Sequence, residues 1–512
     1  MFSFNLLEEK WIPCVMNDNA LRDLSLREVL FNAENVREIV GDSPPVTIAL
    51  HRLLLAILHR ALNAPQSADE WNEIREAGEF NRAKLENYFE KYKSRFDLFD
   101  EKYPFYQSPS ARENVQDGAV MQLYFQGKNN ATLFDHSTIS APKAISAAEA
   151  ARLLIAFQGF DFGGIKADGS AQTAPLLQSA IALIKGKNLF ETLLFNLHWY
   201  NAQDEEPFPF SYAKDLPAWE RDAETEAVER LPDGYVDLLT WQARRIFLQP
   251  EQNENGEIVV KNTVIMRGYS FPKTVGRHAK ETMTAFRASK TEGFFPVGFS
   301  ETRALWRNSL SLLQTVDGEK SRAKMLDWID DLVVDGYLNR TDSLPIDFYG
   351  LAADKGKLLF WQQESFYLPL AYLNDSDLLN LLKTAIEFAE EISGNLRSSI
   401  KRLAKILTDD EATAANFPAM PFYWSTLETR FQKLLSDLPN EKDAAMREWF
   451  GDVLSIADEA FEKTANSLSG TAKELQAIVE ARSFYGALRY KTKESTNFKT
   501  YIPETKAKGG TQ

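Results

Sequence analysis

The chain has 512 residues, about three domains' worth at a typical domain size, with 44% hydrophobic and 26% charged residues. That mix is expected of a soluble globular protein, not of a disordered, collagenous or membrane chain. Acids outnumber bases 73 to 58, a formal charge of −15, so the chain does not coat nucleic acid by bulk charge, and any such contact falls to local basic patches.

Residues 1–16 read as a short hairpin. Ser25 and Glu28 of SLRE form a capping box that opens a short helix. The run VTIALHRLLLAILHRAL at 46–62 is a strongly apolar helix, and 68–94 reads as a polar, charged one. FDLFDEKYPFYQSPSA at 96–111 is aromatic and broken by two prolines, an ordered loop. MQLYFQ at 121–126 reads as a strand, and 127–144 as a polar loop without a period. SAAE at 146–149 caps a helix running to about Gln158, and the glycine-rich turn FDFGGIKADGS follows. NLFETLLFNLHWY at 188–200 is a further helix.

The stretch 201–237 carries eleven acids and three bases and has the composition of a solvated excursion. WQARRIFLQ and EIVVKNTVIMRG alternate on either side of Asn255-Gly256, a strong hairpin signal. Helices are expected near 300–314 and 320–338, and PIDFYGL and KLLFWQQ flank the turn at 352–356 as a second hairpin. After Asp375, amphipathic patterns over about 376–407, 422–437, 441–467 and 471–490 predict an antiparallel four-helix bundle, with a frayed tail from 491. The fold class is therefore α+β: a large mixed domain of hairpins and helices over 1–374, then a four-helix bundle with a basic tail over 375–512.

Catalytic chemistry finds little footing. The single cysteine, Cys14, excludes an intrachain disulfide and fits a reducing, cytoplasmic setting. The N-terminus has acids where a signal peptide needs a basic end, and LLLAIL at 53–58 is far shorter than a membrane span. His51 and His59, eight apart on one apolar helix, read as packing or surface residues, and Asp135-His136 as a loop-structuring pair. No HExxH, Walker A, GxSxG or GxGxxG motif in its proper context is present, so no catalytic residue, metal ligand or cofactor is assigned.

The basic clusters are more informative. Segment 261–307 holds nine Lys or Arg and three Glu, which suits phosphate contact or is ordinary surface charge. Arg397, Lys401 and Lys405 recur every four residues, with Arg402 beside them and no acid between Ile392 and Thr408. A solvated helix usually interleaves acids, so this stripe points to an anionic partner. Three loops stand out: NNATLFDH, FDFGGIK and GLAADKGK. The glycines of the last two permit close backbone approach to a ligand.

FNLLEEKWIPC, FDEKYPFYQ, NNATLFDHS, GFDFGGIK, TWQARRIFL, RALWR and FYGLAADKGKLLFWQ, in that order along the chain, resemble the large subunit of the type I-E CRISPR surveillance complex, Cascade (the CasA family). The resemblance implies a non-catalytic subunit with four kinds of partner: the crRNA, double-stranded target DNA, the other Cascade subunits (backbone, 5′-handle-binding and small) and the helicase-nuclease. It implies recognition of the protospacer-adjacent motif (PAM) through the minor groove, promotion of duplex opening and R-loop formation, and help in recruiting the helicase-nuclease. Asn130, Leu133, Phe134 and Asp135 then belong to the loop at the crRNA-handle and PAM end. Gly163 and Gly164, with Lys166, form the glycine loop that approaches the PAM duplex, and Arg267 is the nearest match to the family's PAM-contacting lysine. Lys355 stands where the family often has a wedge glutamine. Arg397, Lys401, Arg402 and Lys405 would meet the displaced strand. The alternative reading is a structural assembly subunit with little direct DNA contact, which the net charge suits.

Overall fold

The computed structural model describes residues 2–113, 118–119, 123, 143–161, 163, 173–198, 214–272, 281–289, 293–301, 303–313, 315–316, 319–320, 322–354, 356–468, 470–494 and 496–501. They fall into two compact units. The first takes in Met1–Glu301, Thr315–Asn339 and Leu344–Phe366, and the second Thr302–Gln314, Arg340–Ser343 and Tyr367–Gln512.

The first unit opens with β1 (Ile12–Met16) and β2 (Leu21–Leu24), then α1 (Leu26–Phe31) and β3 (Val36–Ile39), which pairs antiparallel with the other side of β1. The first hairpin therefore spans 12–24, not 1–16. Residues 5–9 close a helical turn instead, with the Glu9 amide donating to the Asn5 carbonyl at 2.8 Å, and the chain reverses at Asn17–Asn19, where Asn19 takes φ +66°. The Ser25–Glu28 capping box forms as expected. α2 (Pro44–Leu62) is long and apolar enough to cross a membrane, but its side chains are buried within the unit, as those of a core helix are. His51 and His59 are both buried in it. The expected charged helix over 68–94 is broken in two, α3 (Ala68–Ala77) and α4 (Arg82–Tyr92), because Gly78 ends the first in the left-handed region and Asn81 caps the second.

β4 (Gly118–Ala119), β5 (Ile145–Ser146) and α5 (Ala147–Phe160) come next, followed by β6 (Ile181–Ile184), α6 (Leu189–Asn196) and α7 (Tyr235–Leu239). The strand expected over 121–126 lies outside the described residues except for Leu123, and so does most of the loop at 127–144. The acidic stretch is not a solvated excursion where it is described. Trp219 is buried, Glu220 accepts hydrogen bonds from Arg60, Tyr88 and Tyr92, and Asp215 accepts from the amides of Val236 and Asp237. These acids are spent as internal acceptors rather than turned to water.

The Asn-Gly signal is realised in β7 (Arg244–Gln252) and β8 (Ile258–Arg267), paired antiparallel, with Gly256 at φ +84° in the turn. β4 and β5 pair with the other edge of β8. β9 (Phe286–Ser289) and β10 (Gly293–Pro296) form a small hairpin, as do β11 (Thr315–Val316) and β12 (Glu319–Lys320). The second unit contributes α8 (Ser309–Leu313), and α9 (Lys324–Val334) returns to the first. The second expected hairpin is β13 (Ser343–Asp354) and β14 (Lys357–Pro369), in a sheet ordered β14-β13-β6.

The second unit is built on α10 (Ser376–Thr408), α11 (Ala419–Asp437), α12 (Lys442–Asn466) and α13 (Ala472–Lys493). Apolar faces at three- and four-residue spacing bury Leu382, Ile386, Leu396 and Ile400 of α10 against their neighbours. The buried aromatics also find polar partners. Trp449 Nε1 donates to the Ala385 carbonyl at 2.8 Å, and Tyr423 Oη donates to the Ala389 carbonyl at 2.8 Å. The tail is not frayed throughout. α14 (Thr496–Tyr501) packs Phe498 and Tyr501 beside Phe388 and Phe450, whose own rings stack at 3.9 Å.

Candidate nucleic-acid interface

The glycine loop leaves the C-terminus of α5. Gly163 is buried and sits at φ +89°, a region in which an L side chain is strained. The two ends of the loop are joined by backbone bonds. The Ala174 amide donates to the Asp161 carbonyl at 2.8 Å, and the Leu176 amide donates to the Gly159 carbonyl at 2.9 Å. A Cβ on Gly159 would lie 2.9 Å from Leu176 Cδ1, so this approach is close. Gly164 and Lys166 lie outside the described residues.

Where the loop begins, Arg244 Nε donates to Asp161 Oδ2 at 2.7 Å, and neither side chain has any exposed surface. Gln158 holds the same strand by its backbone. Its Oε1 accepts from the Arg244 amide at 2.8 Å, and its Nε2 donates to the Arg244 carbonyl at 3.0 Å. Arg244 begins β7 and is in register with Arg267, the last residue of β8. Arg267 is half-buried, with Nη2 donating to Ser270 Oγ at 3.1 Å and its carbonyl accepting from Arg245 Nε at 2.9 Å. A Cβ on the next residue, Gly268, would lie 2.4 Å from the Gln242 carbonyl oxygen, so the strand leaves the sheet through a site only glycine fits. The structure thus brings Gly163 and Arg267 to one buried anchor, through Asp161 and Arg244.

The tip of the β13–β14 hairpin is bounded by exposed Asp354 and by Gly356 at φ +77°, while Lys355 itself lies outside the described residues. The hairpin is rooted firmly. Gln178 Nε2 donates to the Ala353 carbonyl at 3.0 Å, and Asp347 accepts from Tyr349 Oη at 2.8 Å, from Gln363 Nε2 at 3.1 Å and from Ser365 Oγ. Asn130, Leu133, Phe134 and Asp135 lie outside the described residues.

In the second unit, Arg397, Lys401, Arg402 and Lys405 are all exposed along α10. Their circumstances differ. Arg402 lies 3.7 Å from Glu480 and over the Phe484 ring, and Lys405 donates to the Asp409 carbonyl at 2.9 Å at the helix C-cap. Arg397 and Lys401 form no ion pair among the described residues. A second cationic group sits near the first. Arg303 and Arg307 both donate to Glu390 at 2.8 Å, and the Arg307 guanidinium lies 3.6 Å from the centre of the Trp424 ring. Burial lowers the Arg307 pKa despite Glu390, with Arg303 and Arg397 adding to the effect. Two arginines thus share one carboxylate, and Arg397, from the other basic stretch, lies near enough to add to the effect.

Among the described residues, no three His, Cys, Asp or Glu side chains are grouped so as to hold a metal ion. His51 Nδ1 lies 2.8 Å from the Thr47 carbonyl and donates to it, and burial, with Lys185 nearby, lowers its pKa to about 3. His59 is likewise held neutral by burial and packs edge-on to His198 and Tyr235. Asp161 and Arg244 lie within the quoted segments GFDFGGIK and TWQARRIFL, but neither they nor Glu390 are assigned a role in the sequence reading. Asp161 and Arg244 are 83 residues apart, and no local pattern marks either as a partner.

The architecture is that of a known class. A solved structure of Cse1 from Thermobifida fusca superposes with a TM-score of 0.81 at 25% identity, covering 95% of this chain and 98% of that one. A chain of a structure described as a CRISPR RNA-guided surveillance complex shares the fold, with a TM-score of 0.76 at 20% identity over 94% of this chain and 99% of the other. The fold is therefore the α+β Cse1 fold with a C-terminal helical region. A curated protein of Thermus thermophilus, "CRISPR-associated protein CasA/Cse1", is 29% identical over 95% of this chain and 97% of its own length. The family model for CRISPR-associated protein Cse1 matches residues 5–469, and this chain belongs to that family, the CasA family of large Cascade subunits.

Proposed function

We propose that this chain recognises the PAM in duplex DNA within an RNA-guided surveillance complex in the cytoplasm, and that it binds and opens DNA rather than cleaving it. The observation that carries the reading is the glycine loop, whose ends are pinned while Gly163 holds a left-handed conformation. A loop so rooted presents backbone from a fixed base, and Gly164 and Lys166 follow directly. Minor-groove edges offer a degenerate pattern, so backbone and one cation suffice for relaxed reading there. Arg267 stands at the same anchor, and Lys355 follows Asp354 at the hairpin tip as the wedge. A wedge costs about a few kcal/mol per unstacked step and promotes local opening. Guide pairing then reads the target sequence, in the division of labour known for other RNA-guided effectors.

Arg397, Lys401, Arg402 and Lys405 hold the displaced strand in this reading, which stabilises the R-loop. Asn130, Leu133, Phe134 and Asp135 face the crRNA handle. The remaining partners are the backbone, 5′-handle-binding and small subunits and a helicase-nuclease that this chain helps to recruit. The test is a binding screen of a randomised PAM library with the complex reconstituted with and without this chain. The expected result is PAM-dependent binding only when the chain is present. Equal PAM dependence in both preparations leaves the chain an assembly subunit.

A further inference from the structure

We infer that the buried Arg244–Asp161 pair, braced by Gln158, is a positioning device that fixes the direction in which the glycine loop emerges and thereby sets PAM discrimination. The inference rests on the reading of that loop as the PAM reader.

Twelve residues separate Asp161 from Ala174, a length that does not by itself dictate one path. Two backbone bonds close the loop's base, but they fix spacing more than direction. Direction comes from Asp161. Its carboxylate is held by Arg244 at 2.7 Å with both side chains fully buried, and its carbonyl receives the Ala174 amide. Arg244 is itself immobilised at three points: Gln158 holds its amide and its carbonyl, and Nη1 donates to the Ala243 carbonyl at 2.7 Å. Gln158 belongs to α5, so the helix, the strand and the residue at which the loop begins are locked by one cluster.

A buried ion pair is a poor way to gain stability, because desolvation consumes most of the attraction. Its attested use is to specify one arrangement among several, and a planar guanidinium does this better than a point charge. The register adds a second consequence. Arg244 is paired across the sheet with Arg267, so the base of the loop and the candidate PAM cation share one support. A shift of Asp161 relative to β7 is a shift of the loop relative to Arg267.

The experiment uses the reconstituted complex carrying Asp161→Leu/Arg244→Met, a pair that removes both charges while keeping apolar bulk, and separately Arg244→Lys, which keeps the charge but loses the fork. Affinity is measured for target duplexes with a matched PAM, with a scrambled PAM, and with a bubble beside the PAM. The expected result is a fall of about tenfold in the matched-to-scrambled ratio for the double variant, the lower end of what lost supporting hydrogen bonds cost at other preorganised sites. Bubble binding stays within about twofold, and Arg244→Lys is intermediate. Faster hydrogen exchange of the peptide spanning 162–176 is expected in both variants. An unchanged ratio with normal assembly overturns the inference. So does an equal loss on all three targets with a lowered melting temperature, which marks a purely structural pair. If the double variant fails to assemble, Arg244→Lys decides by the same ratio. Gly163→Trp runs alongside. If it weakens matched-duplex binding while the pair variants do not, only the positioning role fails. If Gly163→Trp is also without effect, the reading of the loop fails with it.

Discussion

Neutralising Arg397 and Lys401 together is the sharpest test of the α10 stripe. The two are exposed and form no ion pair among the described residues, whereas Arg402 leans on Glu480 and Phe484 and Lys405 caps its own helix. If both meet phosphates of a displaced single strand, each contributes about 0.7 to the slope of log affinity against log salt. Arg397→Gln/Lys401→Gln should therefore make the slope shallower by about 1.4. Across a fourfold change of salt the variant should lose roughly sevenfold less affinity than the parent complex. Lys405→Gln should move the slope little and instead cost roughly 0.3–1 kcal/mol of helix stability at the C-cap. The assay is R-loop affinity of the assembled complex over 50 to 200 mM salt, a range chosen for the size of that effect. An unchanged slope in Arg397→Gln/Lys401→Gln would refute the reasoning and leave the stripe a solvated face.

Gly163→Ala forces an L side chain to φ +89°, a strain of about 1–2 kcal/mol, and should weaken matched-duplex binding by roughly fivefold to thirtyfold without preventing assembly, as read by equilibrium binding. Lys355→Ala should slow duplex opening beside the PAM but spare a bubble-containing target, whereas Lys355→Gln should retain opening, since glutamine both donates and accepts. Opening is followed with a base analogue next to the PAM, and equal loss on both substrates would show general DNA holding. Stability should fall on acidification because His51 and His59 are buried neutral. For His51 the folded pKa of about 3 lies below the unfolded value, so its contribution is complete above pH ~6.5 and is lost as pH drops toward the folded value. The slope that His51 contributes is at most about 1.4 kcal/mol per pH unit, and His51→Leu should remove that contribution, checked by urea unfolding at pH 7 and pH 5.

Local chemistry was legible in the chain, and long-range partnership was not. Asn255-Gly256 announced its hairpin because a positive-φ glycine is a local requirement, and the four bundle helices followed from apolar spacing alone. Gly78 splits the charged helix for an equally local reason, but the surrounding pattern masked it. The acidic stretch misled because composition cannot show that Glu220 is enclosed by Arg60, Tyr88 and Tyr92. At the candidate interface, the glycines and the α10 cations were visible as residue types. The Asp161–Arg244 anchor and the carboxylate shared by Arg303 and Arg307 depend on residues more than eighty positions apart. No window of sequence contains both halves of either arrangement.

The short helix α14 has a practical consequence for anyone shortening this chain. Phe498 and Tyr501 lie over the stacked rings of Phe388 and Phe450, which belong to α10 and α12. A chain stopped at Lys493 would turn that aromatic pair toward water. The loss would register first as stickiness rather than unfolding, because the remaining four helices keep most of their shared interior while the uncovered rings seek a new neighbour. A trimmed subunit that pulls down extra copies of itself would therefore be reporting a missing lid on its own bundle, and the segment Phe498–Tyr501 is the one to preserve.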